Sequence, residues 1–129
     1  MSIEIGLKGR AEIVVAYENT AAAVGSGLVP VFATPSMIAL MEQAAATSLL
    51  PYLDEGQGSV GIHLNVSHDA ATPIGMKVWA ETEVTEVNGK QIVFSVAAYD
   101  EAGLIGCGTH KRALITVERF MSKVEQKKV

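Results

Sequence analysis

Thr34-Pro35-Ser36-Met37-Ile38-Ala39-Leu40-Met41-Glu42-Gln43-Ala44-Ala45-Ala46-Thr47-Ser48-Leu49-Leu50-Pro51 carries the pattern from which the architecture follows. Thr34 is a capping residue type, Pro35 suits the first helical position, and no Gly or further Pro follows until Pro51. The spacing therefore predicts a helix over 36–50, about 22 Å long. Met37, Leu40, Met41, Ala44 and Ala45 form one apolar face, and Ile38, Ala46 and Leu49 extend it around the cylinder. A helix apolar on most sides cannot lie on a flat sheet with its back in water. Either the sheet curls around it or a second subunit covers it.

Upstream, residues 9–17 are rich in β-branched side chains and predict a first strand. Residues 20–30, with Gly25-Ser26-Gly27 and Pro30, predict an irregular connection. Downstream of Gly58 the period changes to two. Val60, Ile62, Leu64, Val66 and His68 fall on one face, and Gly61, His63, Asn65, Ser67 and Asp69 on the other. Thr72-Pro73-Ile74-Gly75 is a turn, 76–87 alternates again, Asn88-Gly89 is a hairpin signal, and 91–99 follows. A turn at 100–103 precedes a last strand over 104–117. The short turns predict that these four strands form an antiparallel meander, with the first strand at an edge. The expectation is an α+β hot-dog fold: a curled five-stranded antiparallel sheet wrapped around one central helix, with the sheets of two subunits paired.

The 129 residues are 49% hydrophobic, 19% charged and 5% aromatic, which predicts a single globular domain over 1–129 and excludes disorder as the default. The net charge of −4 argues against a general nucleic-acid binder. Residues 1–110 hold 4 basic and 12 acidic side chains, whereas residues 111–129 hold six basic and two acidic ones. That basic end is read either as a solvated, frayed terminus or as an attractor for an anionic ligand such as a nucleotide phosphate. Cys107 is the sole cysteine, expected inside an apolar strand as inert packing. With no basic patch and long apolar run at the start, and 15 residues between Pro35 and Pro51, the expectation is a cytoplasmic protein without membrane contact.

Glu42 is the one charged residue between Asn19 and Leu53, in a row with Ile38, Ala45 and Leu49. A carboxylate among apolar neighbours is costly unless it is hydrogen-bonded, protonated or open to a cavity. It is read either as a bridge across a subunit interface or as a general base or nucleophile. His68 ends an apolar strand face that the wrapped sheet turns toward this helix, and a His–carboxylate pair is a general acid–base device. His63, five positions earlier, lies on the opposite face, so the two histidines do not share a metal from a regular strand. Thr34 is read as a helix cap and as a hydroxyl facing a developing oxyanion. His110 and Arg112 share a strand face, read as a solvated or interface face, and Gly61 as a site of close approach or simple punctuation. No phosphate-binding Gly-rich fingerprint or nucleophile elbow is present.

These residues lie in an ordered set of short pieces. They are 31–34, Leu40-Met41-Glu42, Pro51-Tyr52-Leu53, 58–61, Val66-Ser67-His68-Asp69-Ala70-Ala71-Thr72-Pro73 and Gly106-Cys107-Gly108-Thr109-His110-Lys111-Arg112-Ala113. The set resembles the hot-dog thioesterases and, within them, the fluoroacetyl-CoA thioesterase-like group. The resemblance implies a homodimeric acyl-CoA thioesterase whose catalytic residues are Thr34, Glu42 and His68, supported by Gly61 and Arg112. It implies no cofactor beyond the coenzyme A carried by the substrate. The fluoroacetyl-specific enzyme has aromatic residues in a lid before the helix, whereas residues 18–31 here contain none. The resemblance thus carries over hydrolysis of a small or short acyl group, and not the fluoroacetyl selectivity. A non-catalytic acyl-CoA-binding dimer and a hot-dog enoyl-thioester hydratase are the alternatives.

Overall fold

The computed structural model describes residues 2–128. Among them lie the strands β1 (Lys8–Val14), β2 (Gln57–His68), β3 (Lys77–Asn88), β4 (Gln91–Asp100) and β5 (Gly103–Thr116). The helices are α1 (Ala21–Val24), α2 (Thr34–Leu49) and α3 (Val117–Glu125). The five strands form one antiparallel sheet that curls around α2 in the hot-dog arrangement. Met37, Leu40, Met41, Ala44, Ala45 and Leu49 of α2 are buried against the inner faces of β3, β4 and β5, notably Val78, Val84, Ile92, Phe94 and Ile105. Each large side chain so enclosed is worth about 1.5–3 kcal/mol.

The strand order is β1-β3-β4-β5-β2. The meander expected of four strands therefore holds only for β3, β4 and β5. The strand β2 crosses to the far edge and pairs with β5, while β1 takes the other edge beside β3. The residues between β2 and β3 look like a hairpin turn locally, but they run along the end of the sheet. Asp69 N and Ala70 N donate to Ile105 O, Phe32 N donates to Thr72 O, and the buried Thr72 hydroxyl donates to Asp100 Oδ2 at 2.7 Å. Eight residues reach up to about 26 Å, and three strand spacings amount to about 14 Å.

Three local expectations change. The first strand stops at Val14, because Ala16 N donates to the Asn19 side chain and starts a short 3-10 turn. The following connection contains α1, capped by Thr20, and the basic end continues from β5 into the helix α3, with Lys127 and Lys128 just beyond it. Cys107 is exposed on the outer face, because Gly106 is the neighbour that turns inward, against Met37.

The strand β2 also departs from regular alternation. Gly61 lies opposite Arg112 and His63 opposite Lys111, so Ile62 is an extra residue, 46% exposed. One extra residue inverts the phase. Ser59 and Gly61 therefore face inward with Leu64, Val66 and His68, not away from them.

Gly9 of β1 sets the closest approach to α2. A Cβ there overlaps the Ala44 carbonyl oxygen and comes within 2.6 Å of Thr82 Oγ1 and 2.8 Å of Ser48 Cβ. Helix backbone cannot rotate aside. Gly9→Ala is expected to cost about 1–3 kcal/mol, seen as a lower urea midpoint at unchanged slope. A parental midpoint would contradict this contact.

Candidate functional site

Two polar side chains of α2 reach partners on the sheet. Thr34 and Glu42 are eight residues apart, about 12 Å along the axis, and each has its own partners.

At the helix start, Ala33 is the extended residue before the first turn and Pro35 lies within it. Thr34 makes no capping bond. Its Oγ1 lies 2.7 Å from His68 Nδ1, so the hydroxyl is spent on the imidazole. That overturns the capping expectation. Burial pushes the His68 pKa below the ordinary histidine value, against the opposing pull of the Ala70 backbone and the Asp69 carboxylate. Thr34 Oγ1 and His68 Nδ1 share one hydrogen bond, and Nε2 of the ring is buried without a hydrogen-bond partner among the described residues. Asp69 is engaged by the Ser67 hydroxyl at 2.8 Å. Thr34 and His68 border a cleft of about 280 Å³, walled by Val31, Phe32, Ala70 and Ala71. The positive end of the α2 dipole faces the same place.

Two turns along, Glu42 is not the isolated acid that its apolar neighbours imply. Arg112 Nη1 donates to Glu42 Oε2 at 3.4 Å. The guanidinium is also held by Ser59, with Nε donating to Oγ at 2.9 Å and Nη2 to the carbonyl at 3.0 Å. His110 completes the group. Its Nδ1 donates to the His63 carbonyl at 3.0 Å, which leaves Nε2 as the acceptor for Arg112 Nη1 at 3.1 Å. Burial lowers the pKa of His110 and that of Arg112, the latter opposed by the adjacent Glu42 charge. Glu42 Oε2 lies 3.9 Å from His110 Nε2, a contact with a neutral ring rather than a hydrogen bond. A Cβ on Gly61 would overlap Glu42 Oε2, so the missing side chain is what leaves room for the carboxylate.

His110 and Arg112, expected on a solvated or interface face, are 1% and 7% exposed on the inner face. His68 and Glu42, expected to face one another, belong to separate hydrogen-bonded groups within the chain. His110 and Ser59 were not singled out as site residues. The signal available was the shared face of His110 and Arg112 together with a helix carboxylate in need of a cation. Ser59 was hidden by the bulge. Among the described residues no group of three potential metal ligands occurs, and no helix is long and apolar enough to cross a membrane.

Residues 15–118 match the family model described as fluoroacetyl-CoA-specific thioesterase. Over 97 residues the chain is 45% identical to the fluoroacetyl-CoA thioesterase of Streptantibioticus cattleyicolor, covering 75% of this chain and 70% of that protein. It superposes on a structure of the fluoroacetyl-CoA thioesterase FlK with a TM-score of 0.94 at 36% identity, covering 98% of both chains. A variant of FlK in complex with fluoroacetate and CoA matches with a TM-score of 0.87 at 35% identity, covering 92% of this chain and 99% of that one.

Burial that favours neutral His68 and His110 ties stability to pH. Below the ordinary histidine value of about 6.5, the unfolded chain binds protons that the folded sites resist. Native stability is therefore expected to fall with decreasing pH through that window. Urea unfolding across it should give a shallower pH slope for His68→Gln and His110→Gln than for the parent. Equal slopes in all three would contradict the burial account.

Proposed function

Because the chain belongs to the fluoroacetyl-CoA-specific thioesterase family, we propose that it hydrolyses the thioester of a small or short-chain acyl group carried on coenzyme A. The observation that carries this reading is the 2.7 Å contact between Thr34 Oγ1 and His68 Nδ1 beside a cleft at a helix N-terminus. A hydroxyl on a neutral imidazole is an activated nucleophile. His68 takes the hydroxyl proton as Thr34 Oγ1 attacks the thioester carbonyl, and the helix-start dipole stabilises the oxyanion. The C–S bond breaks, and the imidazolium gives its proton to the departing thiolate. Glu42 then takes a proton from the water that attacks the acyl–Thr34 ester, the ester C–O bond breaks to release the carboxylic acid, and the proton held by Glu42 passes to Thr34 Oγ1, restoring the hydroxyl and the carboxylate.

Thr34 and Glu42, about 12 Å apart along one helix, do not reach one carbonyl from the same chain. A homodimer resolves this. The strand β2 lies at the sheet edge with twelve residues and an exposed Ile62, a ready template for pairing with a second chain. Two copies joined along β2 by a two-fold axis bring the Thr34–His68 pair of one protomer toward Glu42, Gly61 and Arg112 of its partner. Arg119 and Lys123 of α3 border an open groove and offer cationic surface to the phosphates of coenzyme A.

A thiol-release assay over a panel of short acyl-CoA esters tests the proposal. Turnover is expected to be highest for the shortest acyl groups, and Thr34→Ala and His68→Ala are each expected to lose on the order of 10²–10⁴ in kcat. Glu42→Gln should accumulate an acyl ester on Thr34, visible by mass spectrometry. Binding of the esters without thiol release would establish the acyl-binding dimer instead, and addition of water to an unsaturated ester would establish the hydratase.

A further inference from the structure

We propose that His110 is a positioning residue whose Nε2 lone pair holds the Arg112 guanidinium back from Glu42, leaving the carboxylate free to act on water. The inference rests on the proposed role of Glu42. An arginine beside a carboxylate ordinarily closes on it with two parallel hydrogen bonds. Here it does not. Nε and Nη2 are both committed to Ser59, at 2.9 and 3.0 Å, and Nη1 is divided between His110 Nε2 at 3.1 Å and Glu42 Oε2 at 3.4 Å. Glu42 thus receives one long contact, on one oxygen, with its side chain still 41% exposed.

His110 is built for this restraint. It is 1% exposed, stacked against Phe94 of β4 with ring centroids 6.1 Å apart, and pinned by its Nδ1–H to the His63 carbonyl of β2. A ring fixed in that orientation offers only an acceptor toward Arg112. The charged groups that face it are Glu42 of α2 and Arg112 of its own strand. Without the acceptor, Nη1 has a single remaining partner, and the cation closes on the carboxylate. A base that must take a proton from water is weakened by such a bond.

Four variants separate the possibilities. His110→Leu removes both bonds of the ring. His110→Asn keeps a donor for the His63 carbonyl but withdraws the acceptor at the Nε2 position, and it carries the test if Leu perturbs folding. Both are expected to lose on the order of 10²-fold in kcat, with KM little changed. His110→Gln, whose amide reaches the Nε2 position with an acceptor, should recover at least about tenfold of that loss. In an Arg112→Met background, His110→Asn should cost nothing further, because the effect travels through Arg112. Equal losses for Asn and Gln, a change confined to KM, or additive losses in the double variant would overturn the proposal. Glu42→Gln, measured alongside, tells the two failures apart. If it turns over at the parental rate, the role of Glu42 falls and His110 with it. If it is inactive while the double variant is additive, only the role of His110 falls.

Discussion

Arg112 is a cation placed inside a small protein, 7% exposed, and satisfying its guanidinium dictates much of the surrounding structure. A buried charge stripped of partners costs several kcal/mol, so each nearby element supplies an acceptor. The strand β2 turns Ser59 inward, which requires the extra residue at Ile62 to reset the phase of the strand. The strand β5 supplies His110, two residues away on the same face. The helix α2 supplies Glu42, the one carboxylate on a surface otherwise built for burial. Gly61, opposite Arg112, lacks the side chain that would expel that carboxylate.

The surroundings of Thr34 and of Glu42 are therefore electrostatically different. Around Thr34 and His68 there is a neutral imidazole, a hydroxyl and the positive end of a helix, an environment suited to making a nucleophile and receiving an oxyanion. Around Glu42 there is a carboxylate beside a tethered cation that touches one of its oxygens. Within one chain the acid and the imidazole belong to separate hydrogen-bonded groups. The proposed two-fold pairing along β2 would bring them together across the subunit boundary.

Much of this was legible in the sequence, and the misses have physical causes. The central helix showed itself through Pro35, Pro51 and the unbroken run between them, and its breadth of apolar surface demanded a curled sheet. The position of β2 did not show, because Thr72-Pro73-Ile74-Gly75 has turn chemistry whether or not the strands beside it pair. The phase of Ser59 and Gly61 was lost for a similar reason: a bulge inverts alternation without a distinctive residue to mark it. His110 and Arg112 read as surface because polar residues on a strand usually are. Only the proximity of Glu42, a tertiary fact, explains their burial. Thr34 looked like a cap by its place beside Pro35, and the pull of His68, 34 residues away, decided otherwise.

In the proposed dimer, Thr34 and His68 of one protomer act with Glu42 of the other. Mixing Thr34→Ala and Glu42→Gln proteins under conditions that allow subunits to exchange, and assaying thiol release, tests it directly. In a mixed dimer one site loses both groups and the other keeps both. Random exchange should then restore about a quarter of the parental activity from two inactive proteins. If every mixture stays as inactive as its components although mixed dimers have formed, each site lies within a single chain, and the account is wrong.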